Sequence, residues 1–417
     1  MEIPIRYGKD EVINLKLDQK NLLGIFNPNQ VEKKDEETLI KEALAHPVQQ
    51  KSFDDFIAGD DSLVIIVNDG TRPTPTAKIL KEIYPKIRDR KKTFIIATGC
   101  HRVGNLEEYH MIFSKEIYEE IAAKDELHNH DAKNDPMTYL GASANGTEMY
   151  LNSIVAEAKK VIVIGSVEPH YFAGYTGGRK AFLPGVAKYE TIEQNHKLAL
   201  SHKAQALALE GNPVHEDMID AMKVLKDIDV FSIQTVLDSE HGVYFVSCGD
   251  LFASFDQCVE KADEVFCVTI PKKADVVISV APYPMDVDLY QAQKALDNGK
   301  LALAQDGILI MVAKCRTGIG PKPFFKLMAS APTGEEVLKK IDQEFHLGYH
   351  KAAKMAEISL WAQTWAVSDL SDEDMKAVHL KPYHDLQKAL DEALAEKGPD
   401  ASVVILPFGS MSVPKEA

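Results

Sequence analysis

Residues 63–84 read LVIIVNDGTRPTPTAKILKEIY. Leu63 to Val67 is an unbroken aliphatic run, short and closed by Asn68-Asp69-Gly70, so it predicts a strand buried on both faces. The prolines of Thr71-Arg72-Pro73-Thr74-Pro75 stiffen the turn that follows, and a helical pattern runs from Thr76 to Tyr84. The rhythm recurs. Phe94-Ile95-Ile96-Ala97 leads into Thr98-Gly99-Cys100-His101, with a helical pattern beyond Asn105, and Val161-Ile162-Val163-Ile164 leads into a glycine-rich segment from Gly165, with a helix from about Tyr189. Continuous apolar strands separated by helices imply a parallel sheet covered on both faces, whose ligands bind beyond the carboxyl ends of the strands.

The rhythm restarts at Ala274-Asp275-Val276-Val277-Ile278-Ser279-Val280, with a helix from about Asp288 and a strand from Gly307 to Val312. Two α/β domains with largely parallel sheets are expected, with the active site in the cleft between them. The charged stretch Lys261 to Asp275 marks the boundary, giving a first domain over 1–268 and a second over 269–399. The terminal strand Ser402 to Leu406, within 400–417, is expected to return to the first domain. The first 17 residues alternate apolar and polar around Tyr7-Gly8-Lys9-Asp10, which reads as a β-hairpin and not as a signal peptide.

The 417 residues are 45% hydrophobic and 26% charged, ordinary globular composition. A net charge of -16 repels phosphate backbones and anionic lipid, which argues against nucleic-acid or membrane partners. No run approaches the roughly 18–20 apolar residues of a membrane helix. Five scattered cysteines without a CxxC pair fit neither a disulfide framework nor a thiolate zinc site, so a reducing cytoplasm is the expected location.

Polar residues gather where the strands end. Asp69 and Arg72 stand in a stiff turn, where they either act on a ligand or merely cap the turn and pair with surface carboxylates. His101 could move protons near neutral pH, or be structural. Glu168-Pro-His170-Tyr-Phe-Ala-Gly174-Tyr-Thr176-Gly177-Gly178-Arg179-Lys180 places three glycines within five residues, so backbone N–H groups and Arg179 could hold an anion. It matches neither a P-loop nor a dinucleotide fingerprint. Lys180 is a candidate attachment point for a cofactor, and Tyr171 and Phe172 would be misplaced on a solvent loop. His196 could give one imidazole to a transition metal held mainly by a cofactor. His128/His130 and His346/His350 have ligand-like spacing but polar surroundings, and are expected to be exposed. Farther on, Tyr290, Gln291 and Lys294 lie within about one helical turn. The cationic glycine turn Lys314-Cys315-Arg316-Thr317-Gly318-Ile319-Gly320 adds to an expected anionic ligand between the domains.

In this order the motifs resemble the nickel-pincer-dependent lactate racemase family, over nearly the whole chain. They are Asp69-x-Thr-Arg-Pro-x-Pro, Thr-Gly-x-His101-Arg, Glu168-x-His170-x-Phe-Ala-Gly-x-x-Gly-Gly-Arg179-Lys180, Asn195-His196 and Tyr283-Pro-x-Asp286-x-x-x-Tyr290-Gln291-x-x-Lys294. The resemblance implies a racemase or epimerase of 2-hydroxy acids, an isomerase. Its cofactor would be the pyridinium-3-thioamide-5-thiocarboxylic acid mononucleotide carrying nickel, attached covalently to Lys180, with His196 completing the metal's coordination. His101 and His170 would be the acid/base pair. Asp69, Gly174, Thr176, Gly177, Gly178 and Arg179 would contact the cofactor, and Arg72, Tyr290, Gln291, Lys294 and Trp361 the substrate. Partners would be a small-molecule 2-hydroxy acid and the cofactor-synthesis enzymes that supply the nucleotide.

That chemistry removes the α-hydrogen as hydride while a base takes the hydroxyl proton, giving a 2-keto acid that turns before hydride returns. Lactate heads the substrates, followed by malate, a longer 2-hydroxy acid or a sugar acid such as gluconate. Gly70 stands where a polar or histidine residue is expected, and the loop after Val312 is poorer in histidine and glycine than the family's, so substrate choice stays open. From another class, the chain could carry the nickel cofactor without catalysing. An ordinary nicotinamide dehydrogenase is disfavoured by the missing fingerprint.

Overall fold

The computed structural model describes residues 1–124 and 126–417. They form two compact units, Gln30–Val265 on one side and Met1–Asn29 with Phe266–Ala417 on the other.

The unit Gln30–Val265 is built on a six-stranded sheet in the order Val243–Gly249, Asp229–Leu237, Lys160–Ser166, Leu63–Asn68, Lys92–Ala97, Leu127–Asn129. Every neighbouring pair is parallel except the antiparallel pair Asp229–Leu237 with Val243–Gly249. Leu63 to Val67 are buried throughout, as a strand covered on both faces requires. Helix Thr76–Ile87 lays Ile79, Leu80, Ile83, Tyr84 and Ile87 against it. The register, Val67 opposite both Ile96 and Ile164, puts the ends of three adjacent strands at one edge. The loops from 69, 98 and 167 onward therefore leave side by side, which is how the fold gathers residues so distant in sequence.

The other unit has an all-parallel sheet in the order Lys381–Tyr383, Gln363–Val367, Leu303–Val312, Ala274–Val280, Val403–Leu406, Leu22–Ile25. This corrects the expected domain limits. Val403–Leu406 does not return to the first domain. It pairs with Ala274–Val280 on one side and Leu22–Ile25 on the other, and all four of its side chains are buried. The hairpin Glu2–Tyr7 with Glu11–Lys16 forms as expected, but it also belongs here: it has one apolar face, and Ile3, Ile5 and Leu15 join the core of Val276, Ile278, Val403 and Ile405. The discontinuous unit is the C-terminal one. The expected boundary stretch is ordered structure, the end of helix Leu251–Phe266 and strand Cys267–Ile270, which pairs with Val413–Glu416. Among the described residues no helix is long and apolar enough to cross a membrane.

Candidate active site

Asp69 lies one residue past its strand and is 7% exposed. Its carbonyl accepts from Arg72 N–H at 3.1 Å, which closes the turn, and Asn68 Nδ2 donates to Thr74 Oγ1 at 2.6 Å. Thr74 Oγ1 also meets Ser166 Oγ at 2.7 Å, stitching the loop to the end of strand Lys160–Ser166. The Asp69 carboxylate accepts from Thr71 Oγ1 at 2.7 Å and meets His101 Nδ1 at 2.7 Å. Burial alone would raise this carboxyl's pKa; the bond and charge of His101, with Thr71 and Arg72, more than offset it and hold it below the ordinary value. An ionised carboxylate only accepts, so His101 Nδ1 carries hydrogen and, in the neutral ring, Nε2 carries the basic lone pair. Asp69, expected to contact a cofactor, uses one oxygen on Thr71 and the other on His101.

The glycine loop is held from inside. Arg179 is 1% exposed, its guanidinium lies 4.4 Å over the Phe255 ring, and Nη2 donates to the carbonyls of Ala173 at 2.8 Å and Tyr175 at 3.0 Å. Nη1 reaches the carbonyls of Gly177 at 3.4 Å and Thr176 at 3.5 Å. Burial pulls its pKa down to about 9, with Asp256 acting the other way. This corrects the expectation that Arg179 holds a ligand anion: it cross-links the loop carbonyls. Thr176 Oγ1 likewise donates to the Ser166 carbonyl at 2.8 Å, and Gly178 N–H donates to Gln234 Oε1 at 3.0 Å, so these positions shape the loop. Gly177 has φ +80°, and a Cβ there would come 2.6 Å from Val167 Cγ2 and 2.8 Å from Gln234 Oε1. Gly177→Ala is therefore expected to destabilise the protein by about 3 kcal/mol in urea unfolding, from backbone strain and overpacking together. A change within about 0.5 kcal/mol would contradict this packing.

Phe172, 2% exposed, is where three of the candidate side chains meet. Its ring stands edge to face against His170 at 4.5 Å and against His196 at 5.0 Å, and Lys180 Nζ lies 5.4 Å from its centroid. Tyr171 stacks on His170 at 4.9 Å. Ala173 N–H donates to His170 Nδ1 at 3.2 Å, which orients that ring. Helix Tyr189–Lys197 carries His196, and the preceding Asn195 donates to Asp217 Oδ2 at 2.8 Å, anchoring the helix to Pro213–Ala221. Lys180 is half-buried, and among the described residues no carboxylate pairs with it. Desolvation, then the charges of Arg72 and Arg179, drive its pKa well below the ordinary lysine value. Arg72 does have a counter-charge, with Nη1 3.2 Å from Glu168 Oε1.

Asp69, Arg72, His101, His170, Lys180 and His196 all lie in the unit Gln30–Val265. Tyr290, Gln291 and Lys294 lie in the other, in two short helices, Leu289–Ala292 and Lys294–Gly299, that meet at Gln293. Asp288 caps the first by accepting from Gln291 N–H at 2.8 Å. Lys351, which no motif marks, donates to the Tyr290 carbonyl at 2.6 Å, with Nζ 3.7 Å from its ring centroid. Its only sequence signal was a lysine inside an apolar helical pattern. Trp361 does not join this group. It sits just before strand Gln363–Val367 and its carbonyl accepts from Asp306 N–H, at the edge where the parallel strands begin, whereas Tyr283 to Lys294 follow the opposite edge.

Of the paired histidines expected to be exposed, His346 is exposed and His128 half-buried, but His130 and His350 need correction. His130 is 2% exposed, bonded to the Ala187 carbonyl at 3.0 Å and to Asn152 Nδ2 at 3.2 Å, and His350 is buried. Among the described residues no group of three or more His, Cys, Asp or Glu could hold a metal ion.

Residues 7–208 match the family model described as the lactate racemase N-terminal domain, and residues 269–413 that of the lactate racemase C-terminal domain. The chain is 30% identical to the lactate racemase of Thermoanaerobacterium thermosaccharolyticum, covering 99% of each chain, and 30% identical to that of Lactiplantibacillus plantarum, covering 98% of each. The solved lactate racemase apoprotein from T. thermosaccharolyticum superposes with a TM-score of 0.91 over 100% of both chains. A Thermotoga maritima protein at 16% identity, covering 93% of this chain and 100% of its own, shares the fold with a TM-score of 0.69. The α/β chain is thus an isomerase. It belongs to the lactate racemase family.

Proposed function

We propose that this chain racemises a short 2-hydroxy acid, lactate first, with a nickel-pincer nucleotide attached to Lys180. The observation that carries the reading is Lys180 itself: a half-buried amine with no carboxylate partner among the described residues, driven toward its neutral form, on a loop whose other cation is locked into carbonyls. A neutral amine is what a covalent bond to a cofactor needs. His196 beside Phe172 would give the metal its one protein ligand, consistent with the lack of a metal-holding cluster among the described side chains. The names of the two curated relatives favour lactate over malate and sugar acids.

When bound, the nucleotide would supply a reversible hydride acceptor. The protein does the rest. Arg72 binds the carboxylate that stays unchanged, through N–H groups that Glu168 leaves available. His101 Nε2, opposite its Asp69 contact, takes or returns the hydroxyl proton of one enantiomer, and His170 serves the other. The buried Phe172, its ring 5.4 Å from Lys180 Nζ, gives the amine an apolar neighbour. Tyr290, Gln291 and Lys294 are proposed to line the substrate.

The test is conversion of D-lactate and of L-lactate by protein loaded with the nickel cofactor, followed by chiral separation, with malate and gluconate as alternatives. No interconversion of any of them would sink the reading. Arg72→Ala should raise KM about 10- to 100-fold, the loss of a charge-assisted bond to a carboxylate, and change kcat much less. An unchanged KM would remove Arg72 from the substrate site.

A further inference from the structure

Glu168 has a well-defined surrounding and no task in the chemistry above. Thr176 clamps its backbone: Thr176 Oγ1 accepts from Glu168 N–H at 3.0 Å, and Thr176 N–H donates to the Glu168 carbonyl at 2.8 Å. The same hydroxyl donates to the Ser166 carbonyl, tying Glu168 to the end of strand Lys160–Ser166. Arg72 comes from a different loop, which Asn68, Thr74 and the Ser166 hydroxyl stitch to that same strand end. Two rigid anchors thus meet in one ion pair, Arg72 Nη1 to Glu168 Oε1 at 3.2 Å.

With side-chain exposures of 26% and 28%, the pair lies where ion pairs add little to stability. Its effect is geometric. An arginine on its own samples many rotamers, whereas a fork held at Nη1 keeps its other N–H groups in one direction. Glu168 engages Nη1 alone, and among the described residues Arg72 Nε and Nη2 make no hydrogen bond. We infer that Glu168 is a positioning residue that aims the Arg72 fork at the substrate carboxylate. This rests on the reading of Arg72 as the carboxylate binder.

The test uses cofactor-loaded enzyme with D- and L-lactate, together with the intact mass of each protein and calorimetric binding of oxamate, a non-reacting mimic. Glu168→Ala should raise KM about tenfold with kcat changed less than about threefold, and Glu168→Gln, which keeps an oxygen acceptor, should stay within about threefold of the parent. Oxamate affinity should follow the same order. The adduct mass on Lys180 should be the same in every variant. An unchanged or lowered KM and oxamate affinity unchanged or tightened in Glu168→Ala, a fall in kcat without a rise in KM, or loss of the adduct would each overturn the proposal. Arg72→Ala separates the two ideas. If it leaves KM and oxamate binding untouched, the reading of Arg72 fails; if it weakens both and Glu168→Ala does not, the role of Glu168 alone fails.

Discussion

Lys180→Ala is expected to abolish turnover and to leave the intact protein mass without any cofactor adduct. Bond formation to the cofactor needs the amine lone pair, and a lysine with an ordinary pKa near 10.4 is neutral in only about one molecule in 10³ at pH 7. Desolvation at Lys180, aided by the charges of Arg72 and Arg179, lowers its pKa, and each unit of lowering raises the neutral fraction about tenfold. The sign gives a second measurement. Adduct formation should speed up with pH only as far as the lowered pKa and then level off, well short of the ordinary lysine range. Mass time courses at several pH values follow this directly. Lys180→Arg should fail like alanine, because a guanidinium keeps the charge and stays protonated. Neither change breaks an ion pair, since no carboxylate among the described residues pairs with Lys180, so both variants should fold. An adduct on both the parent and Lys180→Ala, or acceleration that continues past pH 10, would remove the covalent role.

The strands that build the site were legible because burial on two faces leaves a local signature: Leu63–Asn68 and Lys160–Ser166 are unbroken apolar runs. Their polar ends were legible for the same reason. Sheet order was not, because Val403–Leu406 is apolar whichever sheet receives it, and only its pairing with Ala274–Val280 decides. Roles that depend on what a side chain meets were likewise hidden. Arg179 read as an anion binder because the four carbonyls around it come from a folded loop. Trp361 was a substrate contact by resemblance alone, which does not say at which edge of a parallel sheet a residue falls. His130 looked exposed from its charged neighbours, yet it is buried by contacts with Asn152 and Ala187. Phe172 was marked as an aromatic too costly for a solvent loop, and its part as the wall shared by His170, His196 and Lys180 required the fold.

Removing either histidine should slow racemisation about 10²- to 10⁴-fold, the usual weight of a positioned acid or base, and leave the adduct mass unchanged. A sharper expectation follows from symmetry. The two enantiomers have equal free energy, so the equilibrium constant is one and no variant can slow kcat/KM in one direction alone. Steady-state racemisation therefore cannot tell the histidines apart. The half reaction can. In a single turnover with a trap for the 2-keto acid, His101→Ala should block oxidation of one enantiomer and spare the other, while His170→Ala should do the reverse. The two sites are not alike at rest: His101 has Asp69 on Nδ1, which leaves Nε2 basic, whereas His170 accepts the Ala173 N–H on Nδ1. On the proposed roles, His101 would be preorganised as a base, and His170 would have to release that backbone contact to become a doubly protonated ring. The enantiomer spared by His170→Ala should accordingly be the one oxidised faster by the parent enzyme. Equal loss for both enantiomers in either variant would show that the protons do not travel by two separate sides, and equal oxidation rates in the parent would remove the preorganisation of His101.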